Sequence, residues 1–193
     1  IVIESNVVAL TSKWSYKFFH WTIEALPRLA LVHSELVSGA TVLTSCKGGL
    51  AKGSLALVGV QERQVVCWRP GRTYRSRDEL LWPEPSPCGG VRHAAARMLR
   101  QRALLRPLRP LSRLPPVGAP DSVLVYQRHR HRRLIEHEAA LASVRAAYGR
   151  ASVRVVDGSG ALHEQVSLYR RARCQVGPHG AGLAMMLFAP DGF

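Results

Sequence analysis

The sequence predicts an α/β protein with mainly parallel sheets, organised as two lobes. Three observations predict this fold. Short β-type runs alternate with helical spacing in the first part of the chain. The segment "RPLRPLSRLPPVGAPD" then carries so many prolines that it cannot form a regular element. After it, the order strand, helix, strand, helix, strand, glycine turn, helix is that of a doubly wound half-domain.

The first predicted lobe covers residues 1–106. It opens with a strand and a turn in "IVIESNVVALTS", and "YKFFHWTIEALPRLALVHSEL" follows with helical spacing. Pro27 in that segment either kinks one helix or opens a second at its first turn. The runs "ATVLTS" and "RQVVCW" predict strands separated by a helix, and "VRHAAARMLRQRALL" predicts a basic helix after a loop.

The linker is predicted at residues 107–120 and the second lobe at residues 121–193. Its strands are "SVLVYQR", "SVRVVD" and "CQVG", and its helices are "LIEHEAALASVRAAYG", "LHEQVSLYRRA" and "LAMMLF". Ligands of such sheets bind outside the carboxyl ends of the strands. The basic turn "HRHRR" and the turn "GPHGAG" both follow strands, so we expect both at that edge.

The composition of the chain restricts its possible functions only weakly. The chain has 193 residues, 47% of them hydrophobic, and a formal charge of +14, which favours anionic partners without choosing among them. Enrichment in Arg, Ala, Pro and Gly is equally typical of GC-rich coding. The four cysteines form no CxxC pair, so one or two disulfides and four free thiols both stay open. No run of about 18 apolar residues predicts a membrane span.

The turn "GPHGAG" excludes two nucleotide motifs. No Gly-Lys-Ser/Thr follows the glycines, and their spacing is not that of a dinucleotide fingerprint. Two interpretations stay open: a nest of backbone N–H groups that binds a phosphate or diphosphate, and a tight turn in which glycine only relieves crowding. His179 adds a side chain that can donate a hydrogen bond or carry a proton.

The arginines near this turn indicate an anionic ligand. Arg128 and Arg132 stand four residues apart after a strand, and guanidinium groups suit diphosphate oxygens bidentately. Together with the glycine turn they predict a diphosphate clamp, whereas Arg130 and Arg133 fit a solvated basic turn. The histidine-rich and cysteine patterns match no metal-ligand spacing, so no metal site is predicted.

Three blocks in this order resemble the family-61 glycosyltransferases, which include plant xylan arabinosyl- and xylosyltransferases and animal O-linked N-acetylglucosaminyltransferases. They are "FFHWTIEALPRL", "VLVYQRHRHRRLIEHE" and "HEQVSLYRRARCQVGPHGAGLAMMLFAPDG". The third block is the most specific. The resemblance spans nearly the whole chain, although the part between Cys46 and Pro120 matches no pattern of the family.

The resemblance implies a GT-B-like architecture of two Rossmann-type lobes, here C-terminally truncated, with an acceptor lobe first and a nucleotide-sugar lobe second. It implies an inverting transfer of a sugar, usually from a UDP-sugar, to a hydroxyl of a glycan or glycoprotein. No prosthetic group and no nucleic-acid partner are expected, and dependence on a divalent metal stays open. The expected location is the lumen of the Golgi or endoplasmic reticulum, with a membrane anchor upstream of the chain left open.

The resemblance also implies roles for particular residues. Glu24 is the first candidate for the base that takes the acceptor proton, and His20 and His179 are the others. Glu164 is expected either to orient a neighbouring residue of the site or to be a carboxylate at a helix start. The donor diphosphate is expected at the two arginines and the glycine turn, namely Arg128, Arg132, Gly177, His179, Gly180, Ala181 and Gly182.

Two departures from the family pattern keep other functions open. Met185 stands where an Asn is usual, and Glu136 stands near another such position, which motivates the hypothesis of a catalytically degenerate relative. A basic polyanion- or RNA-binding module is the third hypothesis. It is the weakest, because Val91 to Arg113 contains no aromatic residue to stack on bases.

Overall fold

The computed structural model describes residues 1–32, 34–35, 38–84 and 119–190. The chain separates into two compact units, Ile1–Arg113 and Leu114–Phe193. In both units helices accompany parallel strands, so the predicted α/β class with mainly parallel sheets is confirmed. The predicted basic helix and most of the predicted linker lie outside the described residues, and the domain boundaries therefore stay a prediction.

Six short strands form the sheets in the described part of the first unit. A four-stranded sheet has the order β4-β3-β2-β6, and every neighbouring pair in it is parallel. Strands β1 and β5 form a separate parallel pair. The strands are β1 Val2–Ile3, β2 Val7–Ala9, β3 Thr41–Thr44, β4 Val65–Cys67, β5 Arg75–Ser76 and β6 Leu80–Leu81.

The segment after β2 is helical, as its spacing predicts, but it is not an α-helix. A π-helix covers His20–Ala25 and a 3₁₀ helix covers Leu26–Val32. Proline has no N–H to continue the hydrogen-bond ladder, which explains why the geometry changes just before Pro27. Helix α1, Leu50–Leu57, follows β3, and shorter 3₁₀ turns cover Lys47–Gly49 and Glu62–Gln64.

Two buried polar contacts hold the helical segment on the first unit. Trp21 is fully buried, and its indole N–H donates to the Ser54 hydroxyl on α1 at 2.6 Å. The guanidinium of Arg28, also buried, donates to the carbonyl of Pro83 at 2.7 Å and to that of Ala9 at 3.4 Å. Arg28 therefore joins the end of β2 to the segment that follows β6.

A disulfide between Cys46 and Cys67 joins the loop after β3 to the end of β4. The sequence left cysteine pairing open, and this bond decides it for two of the four. Cys174 is a free thiol, and Cys88 lies outside the described residues.

The second unit has the predicted order of elements. Its three strands are β7 Ser122–Tyr126, β8 Val153–Val156 and β9 Ala172–Val176, arranged as β8-β7-β9 with both pairs parallel. Helix α2, His137–Tyr148, and helix α3, Leu162–Arg170, connect them, with a 3₁₀ turn at Arg150–Ser152. The last helix, Ala181–Phe188, is 3₁₀ rather than α.

The core of the second unit lies between its sheet and α2. Val123, Val125, Leu141 and Val153 pack together there. Met185 in the last helix is also buried, at 1% exposure. Among the described helices, none is long and apolar enough to cross a bilayer.

Candidate functional site

The carboxyl edge of the second sheet brings two arginines to one histidine. Arg128 follows β7 and donates a hydrogen bond from Nη1 to the backbone carbonyl of His179 at 3.3 Å. The Nη1 of Arg132 lies 3.2 Å from Nδ1 of the same histidine. A guanidinium only donates, so this contact requires Nδ1 to accept and assigns the proton of the neutral ring to Nε2.

Arg132 has a left-handed backbone, with φ of 59°. Such a conformation costs a residue with a side chain roughly 1–3 kcal/mol, and it occurs in tight turns and at functional sites. Here it accompanies the turn that carries the guanidinium to His179.

The charges of the two arginines are not neutralised locally. Within the described part of the chain, neither Arg128 nor Arg132 pairs with a carboxylate. The nearby Asp157 is engaged elsewhere: its carboxylate lies 3.3 Å from Nε2 of His129 and accepts hydrogen bonds from Ser159. The side-chain hydrogen bond from Ser159 is the main cause that lowers the pKa of Asp157. The two guanidinium groups are thus placed to bind an external anion.

The backbone of the glycine turn differs from that of a nest. A nest needs left-handed backbone, and none of Gly177, Gly180 and Gly182 has it; the φ of Gly180 is 167°, which is extended. The glycines are needed for space instead. A Cβ at Gly177 would lie 2.9 Å from the Tyr126 carbonyl oxygen, and a Cβ at Gly182 would lie 2.4 Å from the Tyr126 ring. Of the two interpretations that the sequence left open, relief of crowding is the one that these contacts support, and binding of a phosphate at this turn stays a prediction.

Gly180 has the most direct relation to the arginines. A Cβ there would lie 1.8 Å from Nη1 of Arg128, so only glycine leaves the guanidinium where it is. Tyr126 and Arg128 therefore explain the three glycines between them. Sequence reasoning missed Tyr126, and its only signal was an aromatic residue at the strand end before the arginines.

Two other predicted residues of this unit lie at helix starts. Ala181 is exposed and begins the 3₁₀ helix that follows the turn. Glu164 lies in the first turn of α3, where its carboxylate accepts the backbone N–H of Ala161 at 3.0 Å. Of the two roles expected for Glu164, the helix-start role is the one with a contact.

In the first unit, His20 and Glu24 form a hydrogen-bonded pair. Nδ1 of His20 lies 2.9 Å from Oε2 of Glu24, and the side chains are 22% and 13% exposed. A carboxylate acceptor requires the proton on Nδ1 and leaves a lone pair on Nε2. The rings of Trp14 and Phe19 flank the imidazole, with centroids 6.3 Å and 5.6 Å away. Trp21, which lies between His20 and Glu24 in the chain, is fully buried and belongs to the core.

Residues 18–193 match the sequence model of the family described as Glycosyltransferase 61. The chain belongs to glycosyltransferase family 61. The matched range includes the His20–Glu24 pair, both arginines and the glycine turn, and it confirms the suspected family. No curated protein matches the chain significantly.

Membership of family 61 makes this chain a glycosyltransferase in general terms, and so confirms the predicted enzyme class at that level. In this family 61 chain, the described residues contain no group of three or more His, Cys, Asp or Glu that could hold a metal ion. Met185, one of the two positions that depart from the expected family pattern, is buried, so its side chain packs the last helix rather than lining an open surface.

A pocket of about 440 Å³ in this family 61 chain lies at the opposite end of the second sheet. Asp121 before β7 and Arg171 before β9 line it and form an ion pair, and the hydrogen bond from Arg171 is the main cause that lowers the pKa of Asp121. Parallel sheets bind ligands at their carboxyl ends. We therefore assign the candidate ligand site to Arg128, Arg132 and His179 and not to this pocket.

Proposed function

We propose that this glycosyltransferase transfers a sugar from a nucleotide-sugar, specifically a UDP-sugar, to a hydroxyl group of a glycan or glycoprotein, with inversion at the anomeric carbon. The observation that carries the proposal is the convergence of Arg128, Arg132 and His179 at the carboxyl edge of a parallel sheet. That edge is where such sheets bind nucleotides.

In this proposal the two arginines bind the diphosphate. Guanidinium groups form bidentate, charge-assisted hydrogen bonds with phosphate oxygens and stay charged at every physiological pH. They stabilise the charge that develops on UDP as its bond to the sugar breaks, a task that a divalent metal performs in other enzymes. His179 Nε2 donates a further hydrogen bond to the same group.

The His20–Glu24 pair supports an assignment of the base. In an inverting transfer, the acceptor oxygen attacks the anomeric carbon on the face opposite the diphosphate, and UDP leaves with the bonding electrons. We propose that His20 Nε2 takes the acceptor proton and that Glu24 holds the ring and stabilises the imidazolium. This reverses the order suggested by sequence alone, in which Glu24 stood first.

The proposal includes the GT-B-like arrangement of two Rossmann-type lobes, with the donor on the second unit and the acceptor on the first. A parallel sheet in each unit supports it. It also includes a location in the lumen of the Golgi or endoplasmic reticulum. The Cys46–Cys67 disulfide supports that location, because disulfides persist in oxidising compartments.

Calorimetric titration of UDP into the full-length protein, with and without Mg²⁺ or Mn²⁺, tests the donor site. We expect binding without metal, and a loss of about tenfold or more in affinity in Arg132→Ala and in His179→Ala. Arg130→Ala is the matched control, because Arg130 lies in the same exposed turn without a contact to His179.

The outcomes separate the alternatives. UDP binding without sugar transfer to any acceptor would identify a degenerate relative. Absence of UDP binding by folded protein would contradict the donor site. Equal losses in Arg130→Ala and Arg132→Ala would reduce the cluster to general positive charge, as expected of a polyanion-binding module.

A further inference from the structure

Lysine is distributed unevenly in this chain. The sequence contains only four lysines among 27 basic residues. Three of them, Lys13, Lys17 and Lys47, are exposed and lie against one pair of aromatic rings. We call these lysines, together with Trp14 and Tyr16, the lysine–aromatic cluster.

The contacts within the cluster join two loops. Lys13 and Lys17 lie 5.2 Å and 5.5 Å from the centroid of Trp14, and Lys47 lies 5.1 Å from that of Tyr16. Both rings are more than one third exposed, Trp14 at 38% and Tyr16 at 37%. Cation–π contacts hold the ammonium groups near the rings and leave them accessible to solvent.

The charge of the cluster is not neutralised. In the ranges that the structure describes, no carboxylate pairs with Lys13, Lys17 or Lys47. The fourth lysine behaves differently, since Lys52 on α1 lies 3.2 Å from the carboxylate of Glu62. The cluster is therefore a concentration of unpaired positive charge on an aromatic surface.

The cluster lies on the carboxyl edge of the four-stranded sheet. Trp14 follows β2 and Lys47 follows β3. The two other exposed tryptophans follow the outer strands, Trp68 directly after β4 and Trp82 directly after β6, with exposures of 42% and 66%. Four parallel strands span about 14 Å between the outer two, so this edge carries aromatic rings over the length of a few sugar units.

We propose that this edge of the first unit binds an anionic oligosaccharide acceptor, one that carries carboxylate or sulfate groups. The inference rests on the proposed function and names the acceptor class. Tryptophan rings stack on the C–H faces of sugars, so these rings suit a glycan. The three lysines indicate that the glycan is negatively charged. The proximity of Trp14 to His20, at 6.3 Å between ring centroids, places the surface beside the proposed base.

A single-stranded RNA is the competing occupant, because bases also stack on aromatic rings beside cations. The glycan is favoured on two grounds. The chain belongs to a glycosyltransferase family, and the surface adjoins the histidine that would deprotonate an acceptor hydroxyl. A single-stranded RNA is therefore included among the probes of the binding test.

The test measures binding of four probes to the full-length protein by fluorescence titration: a dextran oligosaccharide, its sulfated form, an oligogalacturonate and a single-stranded RNA. The sulfated and carboxylated glycans should bind, and their comparison identifies the anionic group. Neutral dextran should bind about tenfold or more weakly, since it forms no ion pairs with the lysines. UDP titration of each variant runs in parallel.

Two variants carry the inference and one serves as control. The triple variant Lys13→Ala, Lys17→Ala, Lys47→Ala should lose about tenfold or more in affinity for the anionic glycans, and Trp14→Ala should lose affinity for them as well. Lys52→Ala, whose lysine is already paired, should bind like the unaltered protein. All of these side chains are exposed, so the melting temperature should change little in each case.

Several results would overturn the inference. Equal affinity for neutral and sulfated dextran would remove the role of the lysines, and tight RNA binding unaffected by Trp14→Ala would indicate simple polyanion attraction. Loss of glycan binding in Lys52→Ala would also indicate attraction by general positive charge. If UDP binds and no glycan does, the acceptor surface is wrong while the donor proposal stands; the reverse result contradicts the donor proposal alone.

Discussion

The two units of this chain carry different residues at the carboxyl edges of their sheets. At the carboxyl edge of the second sheet, arginines and a histidine converge on a turn kept open by glycine. The carboxyl edge of the first sheet carries lysines and exposed tryptophans, and one of these, Trp14, lies beside the His20–Glu24 pair. Arginine suits a compact diphosphate that must be held in a fixed geometry, whereas lysine on aromatic rings suits an extended and variable anion.

The comparison also shows two ways of holding such an edge in place. The second unit relies on steric fit, since Tyr126 and Arg128 occupy the space that three glycines leave. The first unit relies on cross-links: the Cys46–Cys67 disulfide joins two loops, and the buried Arg28 joins a third segment to β2. Substitutions in the second unit should therefore act through steric overlap, and substitutions in the first unit through loss of a cross-link.

The largest expected effect separates catalysis from donor binding. His20→Ala should lower kcat about 10²- to 10⁴-fold, the usual contribution of a general base, while UDP affinity stays unchanged. Glu24→Gln should lower kcat less, because the neutral amide can still accept from Nδ1 but no longer stabilises the imidazolium. Steady-state kinetics beside UDP titration measures both. A kcat for His20→Ala close to that of the unaltered enzyme would return the assignment to Glu24.

Removal of the disulfide should have the second-largest effect, mainly on the stability of the first unit. Replacing both partners, Cys46→Ser with Cys67→Ser, should lower the free energy of unfolding by about 3 kcal/mol, since the bond closes a short loop. Glycan affinity should fall as the loop bearing Lys47 loosens. Denaturant unfolding measures the change, with Cys174→Ser as the control that removes a free thiol. Equal destabilisation by the control would contradict a specific role for the bond.

The smallest expected effects distinguish two glycines of the same turn. Gly177→Ala places a methyl group against the Tyr126 backbone and should lower stability by about 1–3 kcal/mol. Gly180→Ala meets only the end of the Arg128 side chain, which can move aside, so stability should change little while UDP affinity falls about tenfold. Thermal melting and UDP titration of both variants test this. Identical behaviour of the two would show that the turn acts as one steric unit.

Much of the second unit could be predicted from its sequence. Its alternation of elements and the positions of Arg128, Arg132 and His179 after strands are local patterns, and parallel topology brings such strand ends to one edge. The first unit was predicted less completely. A break at Pro27 was predicted, but not that a π-helix would precede a 3₁₀ helix there. The exposed tryptophans after the strands were not foreseen, because these strands are only two to four residues long and carry weak patterns.

By itself, the sequence determined the α/β class, the order of elements in the second unit and the resemblance to family 61, since these depend on local periodicity and on contiguous motifs. Only the tertiary structure decided that Cys46 pairs with Cys67, that Lys47 reaches Tyr16, and that the glycines accommodate Tyr126 and Arg128. These contacts join residues that are distant in the chain. Their geometry follows from how the strands and loops pack, which no local pattern of residues encodes.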